Sequence, residues 1–243
     1  MLIDTHAHLW FPDYKDDLEQ VLGRARAAGV EKIIVPGTNI ESSSQAIGLA
    51  KKYPGIISAA VGTHPEDWRD GAPTGSDLVG AIAIGEIGTD KSNLPMQQSI
   101  KEQMELFRVQ CELAVEMDLP VIIHTRDSFP ETWEVLTSLR EMPRGQFHCY
   151  TADEEALEKV LSSGFYVSFC KNFTWSKRVA KLVPLVPQER LLLETDSPFM
   201  DPGKRNEPAN VRELLEQLAI LRSETSDNLE NSTSENARRL YRL

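Results

Sequence analysis

Residues 97–127 read QQSIKEQMELFRVQCELAVEMDLPVIIHTRD, and this stretch sets the fold. From 97 to 117 the apolar residues Ile100, Met104, Phe107, Cys111, Ala114 and Val115 recur at steps of three and four, one stripe of a long amphipathic helix. Residues 120–123 then run apolar without a polar break, as a short strand buried on both faces does, and the run ends on His124. A helix feeding a buried strand that ends in a reactive side chain is a unit of parallel α/β architecture.

The unit repeats outward in both directions. Apolar runs at 2–3, 32–36, 56–61, 81–84, 146–147, 165–169 and 191–193 join 120–123 to make eight strands. Val211, Leu214, Leu215, Leu218 and Leu221 mark another helical stripe. Strands alternating with helices imply right-handed βαβ connections. Eight of them favour closure into a (β/α)8 TIM barrel, with active-site groups on the loops that follow the strands. An open doubly wound sheet is the rival, but no G-x-G-x-x-G turn follows the first strand. No composition break or low-complexity linker divides the 243 residues, so one α/β domain over 1–243 is expected.

Composition narrows the class. A hydrophobic fraction of 41% and a charged fraction of 26% are those of an ordinary soluble globule. Cys111, Cys149 and Cys170 are odd in number and lack C-x-x-C spacing, which reads as reduced thiols in a cytoplasmic protein. The opening Met-Leu-Ile-Asp-Thr-His has neither a basic nor an apolar signal region, and no uncharged apolar run reaches about 18 residues, so neither secretion nor a membrane span is expected. A net charge of −11 argues against coating duplex DNA through a broad basic face. It leaves open an enzyme that grips one or two phosphates in a metal-loaded pocket. No obligate protein partner is evident.

The reactive residues fall at strand ends. His6 and His8 end strand one, His64 follows strand three, His124 ends strand five and His148 ends strand six; these are all five histidines of the chain. Glu86 follows strand four and Asp196 follows strand eight. In a barrel every C-terminal strand end faces one pocket, so these groups converge despite their distance in sequence. His-Ala-His in an extended segment puts both imidazoles on one side, half of a zinc-like site. Asp4 shares that face and is expected to orient an imidazole from the second shell. Seven groups exceed the needs of one catalytic ion. Two divalent ions sharing a carboxylate fit better, with Glu86 as the natural bridge; Lys91 lies too far past its strand to serve as a carboxylated-lysine bridge.

The stretches Asp-Thr-His-Ala-His (4–8), Gly-Thr-His-Pro (62–65), Ile-Gly-Glu-Ile-Gly-Thr-Asp (84–90) and Pro-Val-Ile-Ile-His-Thr-Arg-Asp (120–127) continue with His-Cys-Tyr-Thr (148–151) and Leu-Leu-Glu-Thr-Asp-Ser-Pro (192–198). Lys-Arg-Asn-Glu-Pro-Ala-Asn-Val (204–211) and Asn-Ala-Arg-Arg-Leu-Tyr (236–241) complete the series. In this order, and over nearly the whole chain, they resemble the TatD family of metal-dependent deoxyribonucleases in the amidohydrolase superfamily. The resemblance implies one metal held by His6, His8, Glu86 and Asp196 and a second by Glu86, His124 and His148. It also implies 3′-5′ hydrolysis of single-stranded DNA with Mg²⁺, Mn²⁺ or Zn²⁺, of which histidine-rich ligation suits zinc or manganese better. Three departures stand out: Thr89 where the family usually has leucine, Ala152 for a glycine, and a shortened loop 199–205 carrying Pro202-Gly203.

Roles follow as expectations. Asp196 acts as general base on a water acidified by the ions, with Glu86 beside it at the metals. Arg126 clamps a phosphate oxygen, and His64 touches substrate or leaving group instead of a metal. Lys204, Arg205 and Asn206 hold the nucleic-acid backbone, and Glu194 sits beside Asp196 in the second shell. Cys149, next to His148, should point into the core, while Trp10, Phe11 and Trp68 lie on loops where aromatics stack bases or pack the rim. Two other functions compete: a superfamily hydrolase of a small ester, lactone or amide, and a metal-loaded binding protein without turnover.

Overall fold

A computed structural model describes residues 1–92 and 98–243. Eight strands form one parallel sheet in sequence order: β1 (Leu2–Asp4), β2 (Val30–Pro36), β3 (Ile57–Val61), β4 (Ala81–Asp90), β5 (Val121–Arg126), β6 (Gly145–Phe147), β7 (Tyr166–Phe169) and β8 (Leu191–Leu193). The sheet returns on itself. Thr5 N–H donates to Leu193 O at 2.9 Å and Ala7 bridges Ser197 in parallel, so β8 meets β1 and the chain is a (β/α)8 TIM barrel. Outside it lie α1 (Leu18–Ala27), α2 (Ile40–Lys52), α3 (Gln98–Glu116), α4 (Phe129–Ser138), α5 (Glu154–Ser162), α6 (Lys177–Leu182), α7 (Val211–Arg222) and α8 (Ser226–Tyr241).

The stripes of α3 and α7 behave as amphipathic faces must. Phe107, Cys111 and Ala114 are fully buried against the strands, as are Val211, Leu215 and Leu218. Burying a side chain such as Phe107 stabilises the fold by about 1.5–3 kcal/mol. Leu221 departs from its expected stripe and is 37% exposed, one position beyond the buried face. Gln97, the expected start of α3, lies outside the described residues. Within the barrel, Ile3, Ile34, Ala60, Ala83, Ile122 and Leu192 pack together with Ala237, Leu240 and Tyr241, so α8 closes the interior at its N-terminal end. No helix among the described residues is long and apolar enough to cross a membrane.

The main correction to the expected strands concerns β4. It does not stop at Ile84 but continues to Asp90, paired with β5 through Gly88–His124 and Asp90–Arg126. The register shifts between Ile84 and Ile87, a bulge-like irregularity that re-aims the side chain lying within it, Glu86. Glycine makes the close pairing feasible. A Cβ on Gly88, whose φ is 145°, would come within 1.9 Å of His124 O.

Candidate metal centre

All five histidines, Glu86 and Asp196 meet at the C-terminal end of the barrel. His6 Nε2 lies 3.1 Å from His8 Nε2 and 3.2 Å from Glu86 Oε2. Asp196 Oδ1 completes this group, 3.5 Å from His8 Nε2 and 3.7 Å from His6 Nε2. The other oxygen of the same carboxylate, Glu86 Oε1, faces a second group: His148 Nε2 at 2.7 Å and His124 Nδ1 at 2.8 Å, themselves 3.1 Å apart. Nitrogens and oxygens around a tetrahedral ion at about 2.0–2.1 Å stand about 3.4 Å from one another, so these converging donors fit divalent ions. Glu86 faces both groups, with one oxygen toward each.

The electrostatics belong to a cluster of buried, coupled groups. Burial works against charge on Glu86, but the His148, His6 and His64 rings outweigh it and hold the carboxyl well below its ordinary range. His64 is pushed down to about 3 by burial and by the charge of His124, so its ring is neutral. Its Nδ1 accepts the Glu66 N–H at 3.1 Å, which leaves the ring proton on Nε2, 3.5 Å from Glu86 Oε1. His64 therefore presents a donor to the cavity, whereas a metal ligand needs a lone pair there.

Supporting residues differ in part from expectation. Asp4 touches no imidazole. It accepts from the main-chain N–H of His6 (3.2 Å) and Thr195 (3.0 Å) and from the Thr195 hydroxyl (2.6 Å), tying β1 to the segment before Asp196. Burial raises Asp4 to about 7 against those bonds. Glu194 is fully buried behind His148, with Oε1 3.7 Å from His148 Nδ1 and Oε2 accepting from Ser168 at 2.7 Å. Sequence reasoning missed Asp90, whose Oδ2 lies 2.9 Å from His124 Nε2 and fixes that ring. Burial would raise Asp90, but its hydrogen bonds with His124 and Ser92 prevail and bring it to about 2. Asp90 falls four residues after Glu86, and only the length of β4 shows that it belongs to the site.

The segment after β8 was expected on the substrate. Asn206 is instead buried, donating to Thr195 O at 2.8 Å, and Arg205 pairs bidentately with Asp17 at 2.6 and 2.7 Å. Lys204 is exposed on the loop and lines neither cavity described below. Thr89, buried where leucine is usual, sits in a hydroxyl network with Thr132 (2.6 Å) and Ser128 (2.9 Å), so its polar atom is satisfied. Ala152 packs against the core.

Two cavities open over the cluster and share Arg126, His124, His148, Asp196 and Met200. The larger, about 510 Å³, is walled by Trp10, Phe11 and Phe199, with His8 edge-on to both Trp10 and Phe199. The smaller, about 360 Å³, is walled by Trp175, Arg178, Asn172 and Cys149. Cys149, with φ 42°, borders the smaller cavity, while its thiol packs inward against buried Cys170, Glu194 and Asn172. Trp68 lines neither and lies beneath Arg69.

The family model described as TatD related DNase matches residues 3–242. An uncharacterized metal-dependent hydrolase, YabD, of Bacillus subtilis (strain 168) is 39% identical, with both chains covered in full. A Pectobacterium atrosepticum protein named 3'-5' ssDNA/RNA exonuclease TatD is 32% identical, again with full coverage of both. The crystal structure of YJJV, a TatD homolog from Escherichia coli K12, superposes with a TM-score of 0.88 at 29% identity, covering 100% of this chain and 98% of the other. The family match, these full-length relatives and the clustered ligands agree: the chain belongs to the TatD-related DNase family of metal-dependent hydrolases.

Proposed function

We propose that this protein is a cytoplasmic 3′-5′ exonuclease of single-stranded DNA that works with two divalent ions. His6, His8, Glu86 and Asp196 would hold one, and Glu86, His124 and His148 the other. The observation that carries this reading is the division of the Glu86 carboxylate between two sets of nitrogens beneath an open cavity. Zinc or manganese suits the nitrogen-rich donors better than magnesium. When bound, such ions acidify a water and stabilise negative charge on a phosphoryl group. The relatives named 3'-5' ssDNA/RNA exonuclease support the choice of substrate.

The chain's own residues supply the rest. Asp196 is only partly buried and lies between the cluster and both cavities, where it can take the proton of the attacking water. Water adds to phosphorus, the bond from phosphorus to the upstream 3′ oxygen breaks, and that oxygen regains a proton as a nucleoside 5′-phosphate leaves. The neutral His64 donates its Nε2 proton in a hydrogen bond to a phosphoryl oxygen. Arg126, exposed and shared by both cavities, pairs with a neighbouring phosphate. Asp90, Glu194 and Asp4 hold His124, His148 and the two ligand-bearing segments in place.

Digestion of a 5′-labelled single strand tests the reading. A ladder shortening from the 3′ end, abolished by chelator and restored by Mn²⁺ or Zn²⁺, is expected. Full activity in chelator would refute the role of the ions. Turnover of lactones or nitrophenyl esters with no digestion of the strand would move the protein to small-molecule hydrolysis.

A further inference from the structure

The two cavities differ in charge. In the larger, Glu66, Asp67 and Asp90 join Glu86 and Asp196, against the single guanidinium of Arg126. In the smaller, Arg126 and Arg178 face Asp127 and the shared Asp196. Neither Arg126 nor Arg178 has an ion pair among the described residues, so both guanidiniums can take a phosphate. Trp175 stands beside them, 49% exposed. The Asn172 side chain lines the same cavity, is 3% exposed, and its Oδ1 finds no partner among the described residues. An exposed indole and two guanidiniums without ion pairs are what a nucleotide would satisfy.

Taking the exonuclease reading as its basis, we infer that the Trp175–Arg178 cavity is the subsite for the nucleotide upstream of the scissile phosphate, and that the acidic Trp10–Phe199 cavity receives the 3′-terminal nucleoside. The charges fix this direction. The strand remaining on the enzyme carries a phosphate at every nucleotide and needs cations along its path. The terminal nucleoside ends in a neutral hydroxyl, which carboxylates accept as a hydrogen-bond donor. A terminal phosphate would meet the carboxylates that lie outside the proposed ligand set, Glu66, Asp67 and Asp90, and be repelled. Trp175 stacks on the upstream base and Arg178 pairs with the next phosphate. The site thereby selects strands that end in a 3′ hydroxyl.

The experiment compares the metal-loaded wild type with Trp175→Ala and Arg178→Gln on two substrates. One is a 5′-labelled single strand with a 3′ hydroxyl or a 3′ phosphate. The other is thymidine 5′-(p-nitrophenyl) phosphate, which places no nucleotide in the smaller cavity. In Trp175→Ala the ratio of kcat/KM on the strand to kcat/KM on the small substrate should fall about tenfold, the size of one lost base–indole stack. Arg178→Gln should lower the same ratio and flatten its dependence on salt. The wild type should cut the 3′-phosphate strand at least about tenfold more slowly than the 3′-hydroxyl strand. Equal losses on both substrates, no loss on either, or indifference to the 3′ phosphate would overturn the subsite while leaving the nuclease reading intact. A wild type that digests no strand would overturn both.

Discussion

At the N-terminal end of the barrel, Ile3, Ile34, Ala60, Ala83 and Ile122 pack on Ala237 and Leu240 of α8. A few residues further along the same strands and past their ends, His6, His8, Glu86, His124 and Asp196 crowd together, with neighbouring donor atoms 2.8–3.7 Å apart. The energetics of the two ends are opposite. Apolar burial stabilises the lower end. Burial of carboxylates and imidazoles costs stability at the upper end unless ions or hydrogen bonds compensate it. The barrel thus separates the residues that hold it together from those that react.

The separation makes substitutions at the two ends behave differently. Asp196→Asn should lower kcat by about a thousandfold, as loss of a general base does, while thermal unfolding stays cooperative. Single-turnover rates read against calorimetry check this, and near-wild-type rates would remove Asp196 from the chemistry. Leu240→Ala should do the reverse. It should cost about 2–5 kcal/mol, with a drop in Tm of about 2–4 °C per kcal/mol, and leave the rate per folded molecule unchanged.

How far this division is legible in the sequence depends on where the chain stays extended. Short unbroken apolar runs locate all eight strands, and the strict alternation of side chains in extended chain puts His6 and His8 on one face. Alternation fails where the backbone leaves that conformation. Asp196 has φ 54°, so Asp196 and Glu194, two positions apart, do not share a face: Asp196 lines the cavities and Glu194 is buried behind His148. The irregular register near Glu86 hides the length of β4 and with it Asp90. Asp4 stands on the expected face, yet its partners are the main-chain amides of His6 and Thr195 and the Thr195 hydroxyl, which no pattern around Asp4 reveals. Arg205 and Asn206 look like substrate contacts in the sequence because their partners, Asp17 and Thr195 O, come from distant turns or main chain.

Two smaller effects sharpen the contrast within the upper end. Asp90→Asn should cost about tenfold to a hundredfold in metal affinity or activity, since His124 loses the carboxylate that orients it. Metal titration of the variant measures the loss, and unchanged affinity would make Asp90 a bystander. Arg205→Ala removes a surface pair with Asp17, worth under about 1 kcal/mol, and should leave KM for a single strand within about twofold. A large rise in KM would return Arg205 to the substrate.

The proposed two-ion centre at the upper end turns on Glu86, the carboxylate that would be shared between the ions. Metal content per chain, measured by mass spectrometry on wild type and Glu86→Gln after equilibration with Mn²⁺ or Zn²⁺ and removal of free ion, tests that sharing most directly. Two ions in the wild type and at most one in the variant are predicted. A single ion in the wild type, or two retained by Glu86→Gln, would contradict the bridged centre.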